Sequence, residues 1–263
     1  MSRGLLCSIL GCLCCIASLH AVAASSDHRP IVAAAADLQY ALTEVAERFS
    51  DDTGADVRLQ FGSSGNFRRQ IAQGAPFELY LSADEAYVEA LDADGHLIDE
   101  GVVYAVGRIA VLIGDGDDRR LLDGSLEGLR ERLRAGEIER FAIANPEHAP
   151  YGVAAKQALQ AAGLWDEIQA HLIHGDDVAQ AARYALSRET DGGIVALSLA
   201  LAPALAERGE HARIPSSQHK PLRQRMALVA GAGEIARQFY GYLQHDAARA
   251  ILEGYGFALP DDS

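Results

Sequence analysis

The sequence predicts an α/β protein, on three observations. Short apolar runs alternate with stretches of helical period along the chain. At 263 residues it can form one or two domains with substantial cores. Its 49% hydrophobic and 23% charged residues are ordinary globular usage, which argues against disorder and against collagen-like or coiled-coil architecture.

Residues 1–24 read as a cleaved export signal: Arg3 is a positive start, Leu5 to Leu19 an apolar stretch, and Ala21-Val22-Ala23 a small-x-small cleavage site. That stretch is short for a bilayer-spanning helix, so a freely soluble exported protein is expected. Ile9-Leu10-Gly11-Cys12 leaves lipidation at Cys12 as the alternative. All four cysteines, Cys7, Cys12, Cys14 and Cys15, fall in this segment. The mature chain would therefore hold no disulfide, thiolate metal site or cysteine nucleophile.

Ile31 to Ala35 reads as a strand buried on both faces, and Leu38, Ala41, Leu42, Val45, Ala46 and Phe49 fall on one helical stripe. Val57 to Phe61 is a second strand, followed by the turn Gly62-Ser63-Ser64-Gly65 and a helix carrying Phe67 and Ile71. Glu78 to Ser82 is a third strand, and Asp84 caps a helix through Val88 and Leu91. This βαβαβα run implies right-handed crossovers and a largely parallel sheet covered on both faces. A second group follows: strand Arg108 to Ile113, a helical stretch around Leu126 to Leu133, strand Phe141 to Ala144, helices after Pro150 and Asp176, and strand Gly193 to Ala196. Strand Met226 to Ala230 and two helices between Glu234 and Glu253, expected to pack on the first group, close the chain.

The chain carries 37 Asp plus Glu against 23 Lys plus Arg, a formal charge of -14, and loss of Arg3 with the leader makes it -15. Nucleic acid and anionic membrane are poor partners for such a surface. A small buried anion is not excluded, because helix N-termini bind anions without Lys or Arg. Four turns deliver small or hydroxyl residues to helix starts just after strands: Ala36-Asp37, Ser63-Ser64, Ala149-Pro150-Tyr151-Gly152 and Asp176-Asp177-Val178. Any one of them alone is most simply a helix cap, whereas four in two groups point to a cleft between lobes.

Ala33-Ala34-Ala35-Ala36-Asp37-Leu38, Phe61-Gly62-Ser63-Ser64-Gly65-Asn66-Phe67, and the run from Gln70 through Gly74-Ala75-Pro76-Phe77 to Ser82-Ala83-Asp84 resemble the periplasmic molybdate-binding proteins of ABC importers. The resemblance continues through Asn145 to Gly152, Asp177-Val178, Gly193 to Ala196 and Tyr255-Gly256-Phe257, in order along the mature chain. It implies a type II periplasmic-binding-protein fold, two lobes hinged by two crossover strands, with lobe 1 at 25–107 and 227–263 and lobe 2 at 108–226. It further implies capture of molybdate or tungstate in the periplasm, delivery to an inner-membrane ABC permease, a monomer, no cofactor and no catalysis. Carried over by motif, the ligand-binding positions are Asp37, Ser64, Tyr151 and Val178, with no metal site beyond the oxyanion itself. Ala196 stands where some members place the ligand tyrosine, and Tyr151 would supply the phenol instead.

Asp37 departs from the Ser or Asn common at its position, because an ionised carboxylate can only accept hydrogen bonds. Three readings stay open: the carboxylate caps the helix beginning at Leu38 and only its N–H faces the ligand; it faces the cleft and favours a protonated oxyanion such as hydrogen phosphate; or the pocket takes something else. Other constellations are weaker. His171 and His174 beside Asp176 and Asp177 look more like a strand edge and helix cap than metal ligands, and Asp92-Ala93-Asp94-Gly95 lacks the spacing of a calcium loop. Arg68 and Arg69 could steer an anion but fit a solvated helix face better. Ser63-Ser64-Gly65 has no nucleophile elbow or paired His, which disfavours an exported hydrolase. A regulator's effector domain would need an attached basic DNA-binding segment, and none is present.

Overall fold

The computed structural model describes residues 28–260. The expected leader, the cysteines and the Cys12 lipidation motif lie outside the described residues. Within them the chain forms two five-stranded sheets.

The first sheet is built from β1 (Ile31–Ala35), β2 (Arg58–Gly62), β3 (Leu79–Ser82), β4 (Val102–Gly107) and β10 (Leu222–Leu228), in the order β2-β1-β3-β10-β4. The second holds β5 (Ile109–Gly114), β6 (Phe141–Ala144), β7 (Leu172–Gly175), β8 (Gly193–Ala196) and β9 (Gly209–Arg213), in the order β7-β6-β8-β5-β9. β1 pairs in parallel with β2 and β3, and β6 with β7 and β8. β10 runs antiparallel to both its neighbours, and so does β5. In each sheet four strands therefore point one way and one runs against them.

The reversed strands belong to the two passages between sheets. The chain leaves the first sheet at Gly107 and enters the second at Ile109; it leaves the second at Arg213 and returns at Leu222. That return precedes the expected resumption of lobe 1 at residue 227, and the strand expected at Met226 to Ala230 is Leu222–Leu228. Leu222, Gln224 and Met226 alternate inward, so one buried polar residue interrupts the apolar signal that would have marked the strand's start.

The helices that position the cleft follow strands directly. After β1 a 3-10 turn, Ala36–Leu38, leads into α1 (Gln39–Thr53); β2 feeds α2 (Ser64–Ala72), and β3 feeds α3 (Glu85–Ala93). Asp84 accepts from Ala86 N, the cap its position predicts. In the second lobe α4 (Glu127–Arg134) precedes β6, α5 (Pro150–Ala161) follows it, α6 (Trp165–Ile168) precedes β7, and α7 (Val178–Ala185) follows it. Pro150 begins α5, where its fixed φ and missing N–H cost nothing. α8 (Leu197–Ala200) and α9 (Pro203–Ala206) follow β8.

Apolar packing covers both faces of the first sheet. Leu38, Leu42, Val45 and Phe49 meet Phe239 and Leu252 of the terminal helices α10 (Glu234–Tyr242) and α11 (Asp246–Gly254) on one side. Phe49 and Phe239 pack edge to face at 5.0 Å. Phe67, Ile71, Phe77, Val88 and Leu91 cover the other face. A continuous core through Val111, Phe141, Ile143, Leu159, Ala181 and Leu199 holds the second lobe and reaches Ala35, Ala36 and Ala83 of the first.

Candidate oxyanion site between the lobes

The carboxyl ends of β1, β2, β6 and β7 point at one another, and the four turns singled out in the sequence meet there. Asp37, Ser63, Ser64, Ala149, Tyr151, Asp177 and Val178 line a small buried cleft together. No Lys, Arg or His contributes to its lining. A larger groove bordered by His28, Arg29 and Arg58 lies at the opposite, amino ends of β1 and β2. His28 is hydrogen-bonded to Glu78 and Arg29 pairs with Asp56, and ligands of open α/β sheets sit at the carboxyl ends instead.

Ser64 is held from β3. Its Oγ accepts from Ala83 N at 3.0 Å, and the buried Tyr80 hydroxyl donates to its carbonyl at 2.8 Å. The Ser64 hydroxyl proton is left to donate. Val178 opens α7, and Asp177 caps it by accepting from Gln180 N at 2.8 Å. The first N–H groups of α2, α5 and α7 have no intrahelical acceptor and present partial positive charge.

Asp37 lies inside the 3-10 turn and makes no cap. The capping reading is therefore corrected: the carboxylate reaches across the cleft. Its Oδ2 accepts from the Tyr151 hydroxyl of α5 at 2.9 Å and from Gln224 Nε2 of β10 at 2.6 Å. Tyr104 of β4 fixes Gln224 by donating to its Oε1 at 2.6 Å. Asp37 Oδ1 is buried and accepts no hydrogen bond. Burial is the dominant influence on this carboxyl; it outweighs the Gln224 and Tyr151 hydrogen bonds and lifts the pKa from 3.8 to about 6. Burial, reinforced by the charge of Asp37, pushes the Tyr151 phenol well up, so it stays protonated and donates.

The two lobes touch through main chain as well. Gly65 N donates to the His148 carbonyl at 3.0 Å, Ser198 Oγ donates to the Asp37 carbonyl at 2.8 Å, and His148 Nδ1 lies 3.0 Å from Ser63 Oγ. Gly107, between the lobes, has no room for a side chain: a Cβ there would lie 2.2 Å from the Tyr151 hydroxyl.

All four sequence-derived positions thus border one cleft. Sequence reasoning missed Gln224, Tyr104 and Ser198. Only Gln224 carried a signal, as the polar member of the inward-facing set Leu222, Gln224 and Met226. His171 is not gathered with Asp177: its Nδ1 faces the Glu139 carbonyl at 3.4 Å, whereas Asp177 is spent on the α7 cap.

The profile of the bacterial extracellular solute-binding protein family matches residues 31–258. The chain belongs to that family. Two relatives of this solute-binding protein cover most of its length. The molybdate-binding protein ModA of Azotobacter vinelandii is 30% identical, over 87% of this chain and 89% of the relative. A putative ABC transporter substrate-binding lipoprotein of Bacillus subtilis, YvgL, is also 30% identical, over 86% and 85%. The solved periplasmic molybdate-binding protein of A. vinelandii superposes with a TM-score of 0.79 at 30% identity, covering 89% of this chain and 100% of its own. The two-lobed solute-binding fold expected from the sequence is thereby established.

Proposed function

We propose that this protein captures molybdate, and tungstate of near-identical size and charge, in the periplasm and delivers it to an inner-membrane ABC importer, by binding and lobe closure without catalysis. One observation carries the reading: the helix starts of α2, α5 and α7 converge with Ser64 on a buried cleft that contains no cation. Such a cleft suits a desolvated tetrahedral dianion, because local N–H and O–H dipoles act at contact while the net negative charge of the surface is screened by solvent. Ser64 donates its hydroxyl, Val178 and Asp37 their N–H groups, and Tyr151 its N–H, while its phenol proton is given to Asp37. Residues 1–24 direct export, the lobes divide with the two sheets so that lobe 1 resumes at Leu222, and closure follows because a ligand touching both lobes binds the closed state better. The protein acts as a monomer.

A second reading, a protonated oxyanion such as hydrogen phosphate, is favoured by the Asp37 carboxylate in the cleft. Thermal unfolding of the ligand-stripped mature protein against molybdate, tungstate, sulfate and phosphate separates the two. A ligand at about 1,000 times its Kd adds about 4 kcal/mol of stability. Stabilisation by molybdate and tungstate supports the proposal; stabilisation by phosphate alone replaces it with the second reading.

A further inference from the structure

The Asp37 carboxylate is the acidic side chain bonded across the cleft, and its setting gives it a role beyond holding Tyr151. The groups packed around it come from both lobes and are all neutral donors: the Tyr151 phenol of α5, the Gln224 amide of β10 with Tyr104 of β4 behind it, and Ser198 of α8 on its carbonyl. The remaining charged group lining the cleft is Asp177, whose carboxylate is committed to Gln180 N. The imidazole at the rim, His148, faces Ser63. An ionised Asp37 beside a dianion would place three negative charges in a desolvated space without a cation. Asp37 Oδ1 meanwhile has neither solvent nor a hydrogen-bond partner, although buried polar atoms are nearly always paired. A single proton resolves both problems: it cancels one charge and turns Oδ1 into a donor.

Resting on the oxyanion reading above, we infer that each oxyanion enters the cleft together with one proton, shared between Asp37 Oδ1 and a ligand oxygen. Asp37 then sets specificity. The proton comes from solvent when a dianion binds and returns to solvent when the cleft opens; dihydrogen phosphate, a monoanion, would bring its own. Oxyanions whose oxygens are weak bases, such as sulfate, gain least from the shared proton. With the free carboxyl titrating at about 6, capture of a dianion should weaken about tenfold per pH unit well above that value, or about 50-fold between pH 6 and pH 8.

Calorimetric titration of the mature protein with sodium molybdate, in buffers of different ionisation enthalpy, counts the protons directly. Close to one proton taken up per molybdate at pH 8, falling towards zero at pH 5, is the expected result. Asp37→Asn, which carries a permanent donor in the same place, should take up none and bind with the same affinity at pH 6 and pH 8. Tight, pH-independent molybdate binding with no proton uptake by the unsubstituted protein overturns the inference and leaves the molybdate reading intact. Absence of molybdate binding at every pH overturns both. The unsubstituted protein alone decides the matter should the Asn variant not fold.

Discussion

Gly65 N meets the His148 carbonyl at 3.0 Å across the cleft, and a Cβ at residue 65 would stand 2.7 Å from that same oxygen. The lobes are thus in main-chain contact at this point, and closure has no slack there. Gly65→Ala must hold α2 away from the 145–149 turn, at an overpacking cost of about 1–3 kcal/mol. Ligand affinity should fall about 5- to 150-fold, and small-angle scattering should show less compaction on ligand addition. Unchanged affinity and compaction would mean that the bound state does not use this contact.

Ser64→Ala removes the hydroxyl proposed to donate to the ligand and also strips Ala83 N of its acceptor. Affinity should drop by about 1–3 kcal/mol, with a smaller loss of stability without ligand. Titration and urea unfolding of the same variant separate the two effects. Loss of stability with full affinity would leave Ser64 a purely structural residue.

Tyr151→Phe deletes a donor that holds the Asp37 carboxyl down. The carboxyl should then titrate above its present value of about 6, which carbon-13 NMR of the side-chain carboxyl reads directly. A downward move would show that Tyr151 does not donate to Asp37 in solution.

Asp37 also makes a signed contribution to stability. Its folded pKa of about 6 lies above the ordinary 3.8, so between these values the folded protein binds more protons than the unfolded chain. Stability from this group is therefore full below about pH 4 and lost as pH rises through 6, by about 3 kcal/mol. Asp52 and Asp118, whose pKa values are lowered by Tyr242 and Arg120 respectively, act in the opposite sense at lower pH. The difference between urea-unfolding curves of the unsubstituted protein and Asp37→Asn isolates the Asp37 contribution. It should change across pH 4–6 and be flat above 7.

Much of this was legible because it is local. Ile31–Ala35 is an unbroken apolar run, Asp84 caps two residues ahead, and Pro150 marks a helix start, each a matter of neighbouring residues. β4 was missed because one residue, Arg108, separates it from β5 in a nearly continuous apolar stretch. β9 was missed because Gly209–Arg213 is polar and half exposed. The Asp37 network was hidden for a different reason: its partners Tyr151 and Gln224 lie 114 and 187 residues away in sequence. A cap is the local answer for an Asp at a helix start, and a buried partner from the other lobe overrides it.

A crystal structure of the mature protein grown with molybdate, read through the anomalous signal of molybdenum, tests whether the ligand lies between Ser64 and Val178. One peak is expected in the cleft, with oxyanion oxygens within hydrogen-bond distance of Ser64 Oγ and Val178 N. A peak in the basic groove bordered by Arg29 and Arg58, with the cleft unchanged, would contradict the account.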